Sequence, residues 1–337
     1  MFTASAPTRI DFAGGTVDIW PVYLLTTGAV TVNAGIDLRA EAVVRPRSDG
    51  LLVARSHDQN ARMRRPVARP VRRGEPLELL ARLGREFGPP GGATLETRCA
   101  APAGSGLGGS SALAIAVASA LAALSGRAIP RTRRLALVRD LETQVLGIPA
   151  GEQDYYGALW GGLQAIEWGP GGGVRRALDA DLDALRARSV LCFSGASRSS
   201  GDSNWDMVKR RLDGNAANAR AFAGVVGAAR AMERALTASD WKGAGEALRE
   251  EMHHRERLSP RVAGGPIESL LRAGTRAGAW GGKVCGAGGG GCLVFLAPPA
   301  RVLDVEAALT SHGARVLEFQ FARGGVTVAS KAMSRAV

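Results

Sequence analysis

The chain has 337 residues, 46% apolar and 22% charged, with a net charge of +12. That is a globular balance, long enough for one large or two ordinary domains. The longest apolar stretch, residues 112–124, is too short and too rich in alanine to span a bilayer, and residues 1–10 lack a signal peptide's apolar region, so a soluble cytoplasmic protein with no membrane partner is expected.

Residues 31–44 and 51–53 alternate or carry β-branched runs and read as strands. The densest basic cluster follows: Arg62, Arg64, Arg65, Arg69, Arg72 and Arg73, interleaved with Pro66 and Pro70. It reads as a solvated loop rather than a polyanion site, and no nucleic-acid partner is expected. Residues 75–87 have helical spacing, stopped by Gly88-Pro89-Pro90. Residues 93–99 read as a strand, 111–124 and 131–146 as helices, and 161–168 as a strand followed by a turn at 169–173. A domain boundary fits best within 170–184, giving domains 1–175 and 176–337. Residues 189–194 read as a strand, and 218–236, 241–258 and 266–277 as helices. Two extended segments flank a glycine loop within 283–297. A helix at 301–311 and two short strands close the chain, an α+β pattern.

The four cysteines, Cys99, Cys192, Cys285 and Cys292, form no C-x-x-C pair, so a zinc site or disulfide framework is not expected. Lys209, Lys242, Lys283 and Lys331 are the only lysines, and arginine carries nearly all the positive charge.

The stretch Pro102–Leu124, "PAGSGLGGSSALAIAVASALAAL", runs from a glycine loop straight into an alanine-rich helix. Gly104, Gly106 and Gly109 match G-x-G-x-x-G, but no acid lies between Glu96 and Asp140 to hold a ribose, which excludes a dinucleotide site. Gly104 to Ser111 nearly match the Walker A loop, but Ser110 stands where its lysine belongs. What remains is a loop whose glycines let backbone N–H groups approach an anion, ahead of a helix N-terminus. Ser110 and Ser111 could cap that helix or ligate magnesium. A purely structural loop is the alternative.

The pattern P-x-G-x-G-L-G-x-S-S-A resembles the phosphate loop of the GHMP kinase superfamily. "APTRIDFAGGTVDIW" (residues 6–20) resembles that family's N-terminal motif, and "GGKVCGAGGGGCLVFL" (residues 281–296) its C-terminal glycine motif. "GEQDYYGALWGG" (151–162) and "FSGASRSS" (193–200) are similar to segments of anomeric heptose-phosphate kinases and fucose-kinase-like enzymes. "GGTVD" departs from the usual G-G-G-T-D, and Gly109 from a common serine. The resemblance implies an α+β two-domain fold, an N-terminal ribosomal-protein-S5-like domain and a C-terminal ferredoxin-like one. It implies an ATP-dependent, magnesium-dependent kinase acting on a sugar or sugar phosphate, with a heptose phosphate and its anomeric hydroxyl favoured. A mevalonate-type kinase or decarboxylase, or a non-catalytic nucleotide- or polyanion-binding protein, are the alternatives. Composition and spacing leave the oligomeric state open.

Carried over residue by residue, the resemblance makes Asp154 the catalytic acid–base group and Arg9 its partner, able to stabilise charge on the transferring phosphoryl group. Gly104, Ser105, Gly106, Gly108, Gly109, Ser110 and Ser111 would hold the ATP phosphates. Ser110 and Glu142 would ligate magnesium; a buried structural pair is the alternative for Glu142, which falls among Leu135, Val138 and Leu146 on its helix. Asp18, Gly15, Arg198 and Gly288 would line the acceptor site. Lys283 receives no catalytic role, and His253 and His254 read as helix surface.

Overall fold

The structure, a computed structural model, describes residues 1–196 and 201–331. Its elements in chain order are β1 (Phe2–Ala13), β2 (Val30–Pro46), β3 (Leu51–Ser56), β4 (Ala61–Pro66), α1 (Glu78–Phe87), β5 (Gly92–Cys99), α2 (Gly109–Leu124), α3 (Arg131–Leu146), α4 (Gln153–Trp160), β6 (Leu163–Gly169) and β7 (Gly172–Ala177). Then come α5 (Leu182–Arg186), β8 (Ser189–Phe193), α6 (Gly201–Leu212), α7 (Ala216–Thr237), α8 (Trp241–Leu258), α9 (Pro266–Arg276), β9 (Gly281–Val284), β10 (Cys292–Leu296), α10 (Val302–Ser311), β11 (Arg315–Val316) and β12 (Thr327–Ser330).

Two sheets organise the molecule. The larger has the order β12-β1-β2-β5-β3-β4, with the hairpin β6–β7 joined to β2; the smaller is β11-β8-β10-β9. The strand pairs are antiparallel except β3–β5. The chain therefore leaves the larger sheet after β7, builds the smaller one, and returns β12 to lie beside β1. Helix α2 is apolar on every side and buried along almost its whole length, as a helix in the middle of a core must be. Its alanines let it pack closely against β1, β2, α1, α3 and α4. Helices α8, α9 and α10 pack on the smaller sheet, while α7 packs on α8 and also reaches β1 and β2. Among the described residues no helix is long and apolar enough to cross a membrane.

Most of the expected elements are present, with a few corrections. The arginine cluster is a solvated loop only in its second half, where Arg69, Arg72 and Arg73 are exposed: residues 61–66 form the edge strand β4, and Arg65 is buried, paired with Glu75 and donating to the Pro70 carbonyl at 3.1 Å. Exposed Arg62, Arg64 and Pro66 are what an unpaired sheet edge carries to discourage further pairing. Residues 169–173 span the tight turn of the β6–β7 hairpin, so part of the 170–184 stretch belongs to the larger sheet. Strand β1 shows no alternation because every residue from Ala6 to Ala13 is buried, polar ones included.

Candidate active site

The N-terminal motif lies on β1, the phosphate loop precedes α2, and the second glycine loop joins β9 to β10. Arg9 ties the three together. Its backbone N–H donates to the Leu107 carbonyl at 2.9 Å. Its buried guanidinium donates through Nη1 to the carbonyls of Gly106 at 2.6 Å and Cys285 at 3.0 Å. Its Nε and Nη2 both reach Asp154 Oδ1, at 2.8 and 2.5 Å.

Gly106 and Gly286 touch back to back. A Cβ on Gly106, whose φ is +73°, would stand 2.8 Å from the Gly286 Cα, so neither position has room for a side chain. The Cys292 N–H donates to the Ser105 carbonyl at 2.7 Å, sealing the second glycine loop to the first. The first-turn N–H groups of α2, on Gly109, Ser110 and Ser111, have no acceptor among the described residues, and no side chain caps this end. The cap expected from Ser110 or Ser111 is absent because the helix begins at Gly109, with Gly108 at the cap position, which puts both serines inside the first turn; the Ser111 hydroxyl turns to Glu142. Three free donors at the positive end of a helix form an anion site.

Asp154 lies in the first turn of α4, a helix where the sequence reads as turn-rich, because its companions Tyr155, Tyr156, Ala158 and Leu159 are buried. With Oδ1 held by Arg9, its Oδ2 has no partner among the described residues, and it lies 3.1 Å from the Cβ position of Gly108. A partly exposed carboxylate oxygen thus abuts the phosphate loop.

Glu142, on α3, is buried and accepts from the hydroxyls of Ser111 at 2.9 Å and Tyr155 at 2.7 Å. Burial pushes its carboxyl up, opposed by the hydroxyls of Tyr155, Ser110 and Ser111. Among the described residues no cationic side chain pairs with it, and its partners are hydroxyls. A buried carboxylate with hydroxyl neighbours and no cation offers the hard oxygen donors that magnesium takes, so the residues fit that ion. No group of three or more His, Cys, Asp or Glu among the described residues could hold a metal, so waters and phosphate oxygens would supply most of the shell.

Asp18 is buried after the N-terminal glycines and accepts the Gln153 N–H at 2.9 Å. Burial pushes its carboxyl up to about 7; the Gln153 amide opposes this, and the nearby Asp154 and Asp11 charges add to it. Gly15 is fixed by its surroundings: a Cβ there would strike Asp11 Oδ2 and lie 2.9 Å from Gln153 Nε2. Gly288 packs against Val262, whose atoms are the three nearest to its Cβ position, and not against Asp18 or Gly15. Arg198 lies outside the described residues. The structure thus brings Arg9, Asp154, the phosphate loop and Glu142 together, with Asp18 and Gly15 adjoining through Gln153.

Sequence reasoning missed what supports this site. Lys283 Nζ is wholly buried and bonds Asp11 twice, at Oδ2 and at the carbonyl, both at 2.9 Å. Arg255 joins Asp11 at 3.4 Å, the Thr16 hydroxyl at 3.1 Å and the Gly286 carbonyl at 2.8 Å. Glu251 stands 3.6 Å from Lys283 and 3.7 Å from Arg255, as ion pairs without hydrogen-bond geometry. One signal was available: Glu251 and Arg255 share a helix face with Ala244, Ala247, Leu248 and Leu258, where charges need partners.

Comparison with known proteins identifies the family. The description "GHMP kinases N terminal domain" matches residues 75–162 and "GHMP kinases C terminal" matches residues 232–315, together just over half of the chain. The chain is 28% identical over 329 residues to the D-glycero-alpha-D-manno-heptose 7-phosphate kinase of Campylobacter jejuni, covering 95% of this chain and 96% of that one. Its fold is similar to that of a D-glycero-D-manno-heptose 1-phosphate kinase from Bacteroides thetaiotaomicron, with a TM-score of 0.80, 22% identity and coverage of 98% and 100%. It is equally similar in fold to Lactococcus lactis galactokinase complexed with galactose, with a TM-score of 0.80, 19% identity and coverage of 96% and 94%.

Proposed function

The chain belongs to the GHMP kinases, and on that premise we propose that it transfers the γ-phosphoryl group of ATP to a sugar hydroxyl. The observation that carries this reading is Asp154 Oδ2, an unpartnered carboxylate oxygen set against a phosphate loop with three free N–H donors. Phosphoryl transfer asks a protein chiefly for positioning and charge stabilisation. We assign the phosphate cradle to Gly104, Ser105, Gly106, Gly108, Gly109, Ser110 and Ser111. Asp154 Oδ2 takes the proton of the acceptor hydroxyl, while Arg9 holds the other oxygen still and adds positive charge where negative charge gathers. Magnesium would be held by Ser110 and Glu142, and when bound it neutralises phosphate charge. Its removal with EDTA is expected to abolish turnover and restoring it to recover activity; turnover that persists in EDTA removes the metal role of Glu142.

We take the acceptor to be a heptose phosphate and the reacting group its anomeric hydroxyl. The full-length similarity to the Campylobacter jejuni enzyme supports this choice. We also take residues 1–175 and 176–337 as the two domains, with β12 crossing back, and place the protein in the cytoplasm, where ATP and sugar phosphates are held. A panel of sugars and sugar phosphates, with phosphorus NMR of the product, tests the reading. Product with the phosphate on an anomeric carbon supports it; turnover confined to mevalonate-type acids, or none at all, overturns it.

Asp18 is assigned to grip acceptor hydroxyls, since an ionised carboxylate accepts two such bonds. With its carboxyl pushed up to about 7, the accepting form is gained as pH rises. The KM for sugar is therefore expected to fall between about pH 6 and about pH 8, with the KM for ATP flat. Asp18→Asn should remove that pH dependence. The opposite sign holds for stability: folded Asp18 keeps its proton to higher pH than unfolded, so its contribution to stability declines toward about pH 7.

A further inference from the structure

A chain of buried carboxamides ends at the acceptor site. Asn33 and Gln164 are wholly buried and Gln153 nearly so. The two ends of a carboxamide are almost the same shape, so its orientation is set by what its partners can give or take. A guanidinium can only give. Arg175, half-buried on β7, donates from Nε to Gln164 Oε1 at 2.5 Å. That turns the Gln164 NH2 toward Asn33, where it donates to Oδ1 at 2.8 Å. The Asn33 NH2 must then be the donor on its other side, and it reaches the Gln153 carbonyl at 3.2 Å and Gln153 Oε1 at 3.4 Å. The Gln153 NH2 is left facing away from Asn33, 2.9 Å from the Cβ position of Gly15, with no acceptor among the described residues. The N–H of the same residue holds Asp18, and Asp154 follows it in sequence.

We propose that Gln153 contacts the acceptor, its NH2 donating to one sugar hydroxyl while Asp18 accepts from the neighbouring one, and that Arg175 sets its orientation through Gln164 and Asn33. The ligand class is a polyol with adjacent hydroxyls. This rests on the sugar-kinase reading. The Gln153 NH2 is not among the fully buried unpaired polar atoms, so it is open to a bound group, and a sugar hydroxyl that displaces its water gains a donor already held in place. Gln153 is the contact; Arg175, Gln164 and Asn33 are positioning residues.

The test is steady-state kinetics of the full chain with the best sugar of the panel and its monodeoxy analogues. Gln153→Glu keeps the shape and loses both donors; it should raise the KM for sugar by about tenfold and leave the KM for ATP unchanged. The wild type should lose a similar factor on one monodeoxy analogue, and Gln153→Glu should lose nothing further on that analogue. Arg175→Met should raise the KM for sugar by a smaller factor, about threefold, and Arg175→Lys, still only a donor, should restore it. If Gln153→Glu does not fold, the Arg175 pair decides alone. An unchanged KM for sugar in an active enzyme, or an equal penalty on every analogue, overturns the proposal and leaves the sugar-kinase reading standing. A wild type that phosphorylates no sugar overturns both.

Discussion

Asp154→Asn is expected to lower kcat by a factor of about 10² to 10⁴, the range that a positioned general base contributes. The substitution keeps an oxygen for the Arg9 guanidinium, which also bonds two carbonyls, so Arg9 retains partners and the loop contacts survive. What disappears is the charge and basicity at the second oxygen, the one that abuts Gly108. The KM for ATP should therefore stay within about twofold, because the free N–H groups of α2 are untouched. Stopped nucleotide binding and single-turnover phosphorylation separate the two effects. Turnover near the wild-type rate removes Asp154 as the base, and ATP binding without turnover in the wild type itself favours a non-catalytic protein.

Lys283→Met is expected to cost about 3–5 kcal/mol of stability. Lys283 is wholly buried, and its ammonium is the shortest ion-pair partner of Asp11. Without it, two buried carboxylates face Arg255 alone, and Asp11 Oδ1 and both Glu251 oxygens already lack hydrogen-bond partners among the described residues. Burial pushes the Glu251 carboxyl up, with the Asp11 charge adding to it and the Lys283 and Arg255 charges opposing, so once Lys283 is gone protonation of that group is the easiest relief. Urea unfolding should show the loss, and Glu251→Gln added to Lys283→Met should recover part of it by removing one unpaired charge. A loss below about 1 kcal/mol would mean that the cluster is slack and does not brace the second glycine loop.

The three glycine-bearing motifs were legible because each is a short segment whose chemistry is local: positive-φ turns, close backbone approach, a helix start. Helices 131–146 and 241–258 were legible from their stops and spacing. The cluster of Asp11, Glu251, Arg255 and Lys283 was not, because its members come from β1, α8 and β9 and meet only when the two sheets face one another. Arg65 illustrates the converse error. The five arginines around it gave the stretch its solvated look, and only the pairing of β4 with β3 turns Arg65 toward Glu75. Helix α4 was hidden by Gly151 and Gly157, although its four buried neighbours of Asp154 carry the helical face. Gln153 was hidden for a different reason: the direction of its carboxamide depends on a donor twenty-two residues away, on strand β7.

Arg9 has a further consequence, which concerns the order of synthesis. Domains generally fold as they leave the ribosome, N-terminal part first. The ninth residue made is the one whose guanidinium needs the Gly106 carbonyl, the Asp154 carboxylate and, last, the Cys285 carbonyl. Until the 285th residue has emerged, one of its buried donors has nothing but water to bond, and β1 still has an open edge that only β12 will cover. The nascent chain therefore carries Arg9 with an incomplete set of partners through most of translation. Truncation between Asp154 and the second glycine loop leaves Arg9 with its first two partners but without the Cys285 carbonyl or β12, so the last sixth of the chain completes the contacts of a residue made ninth.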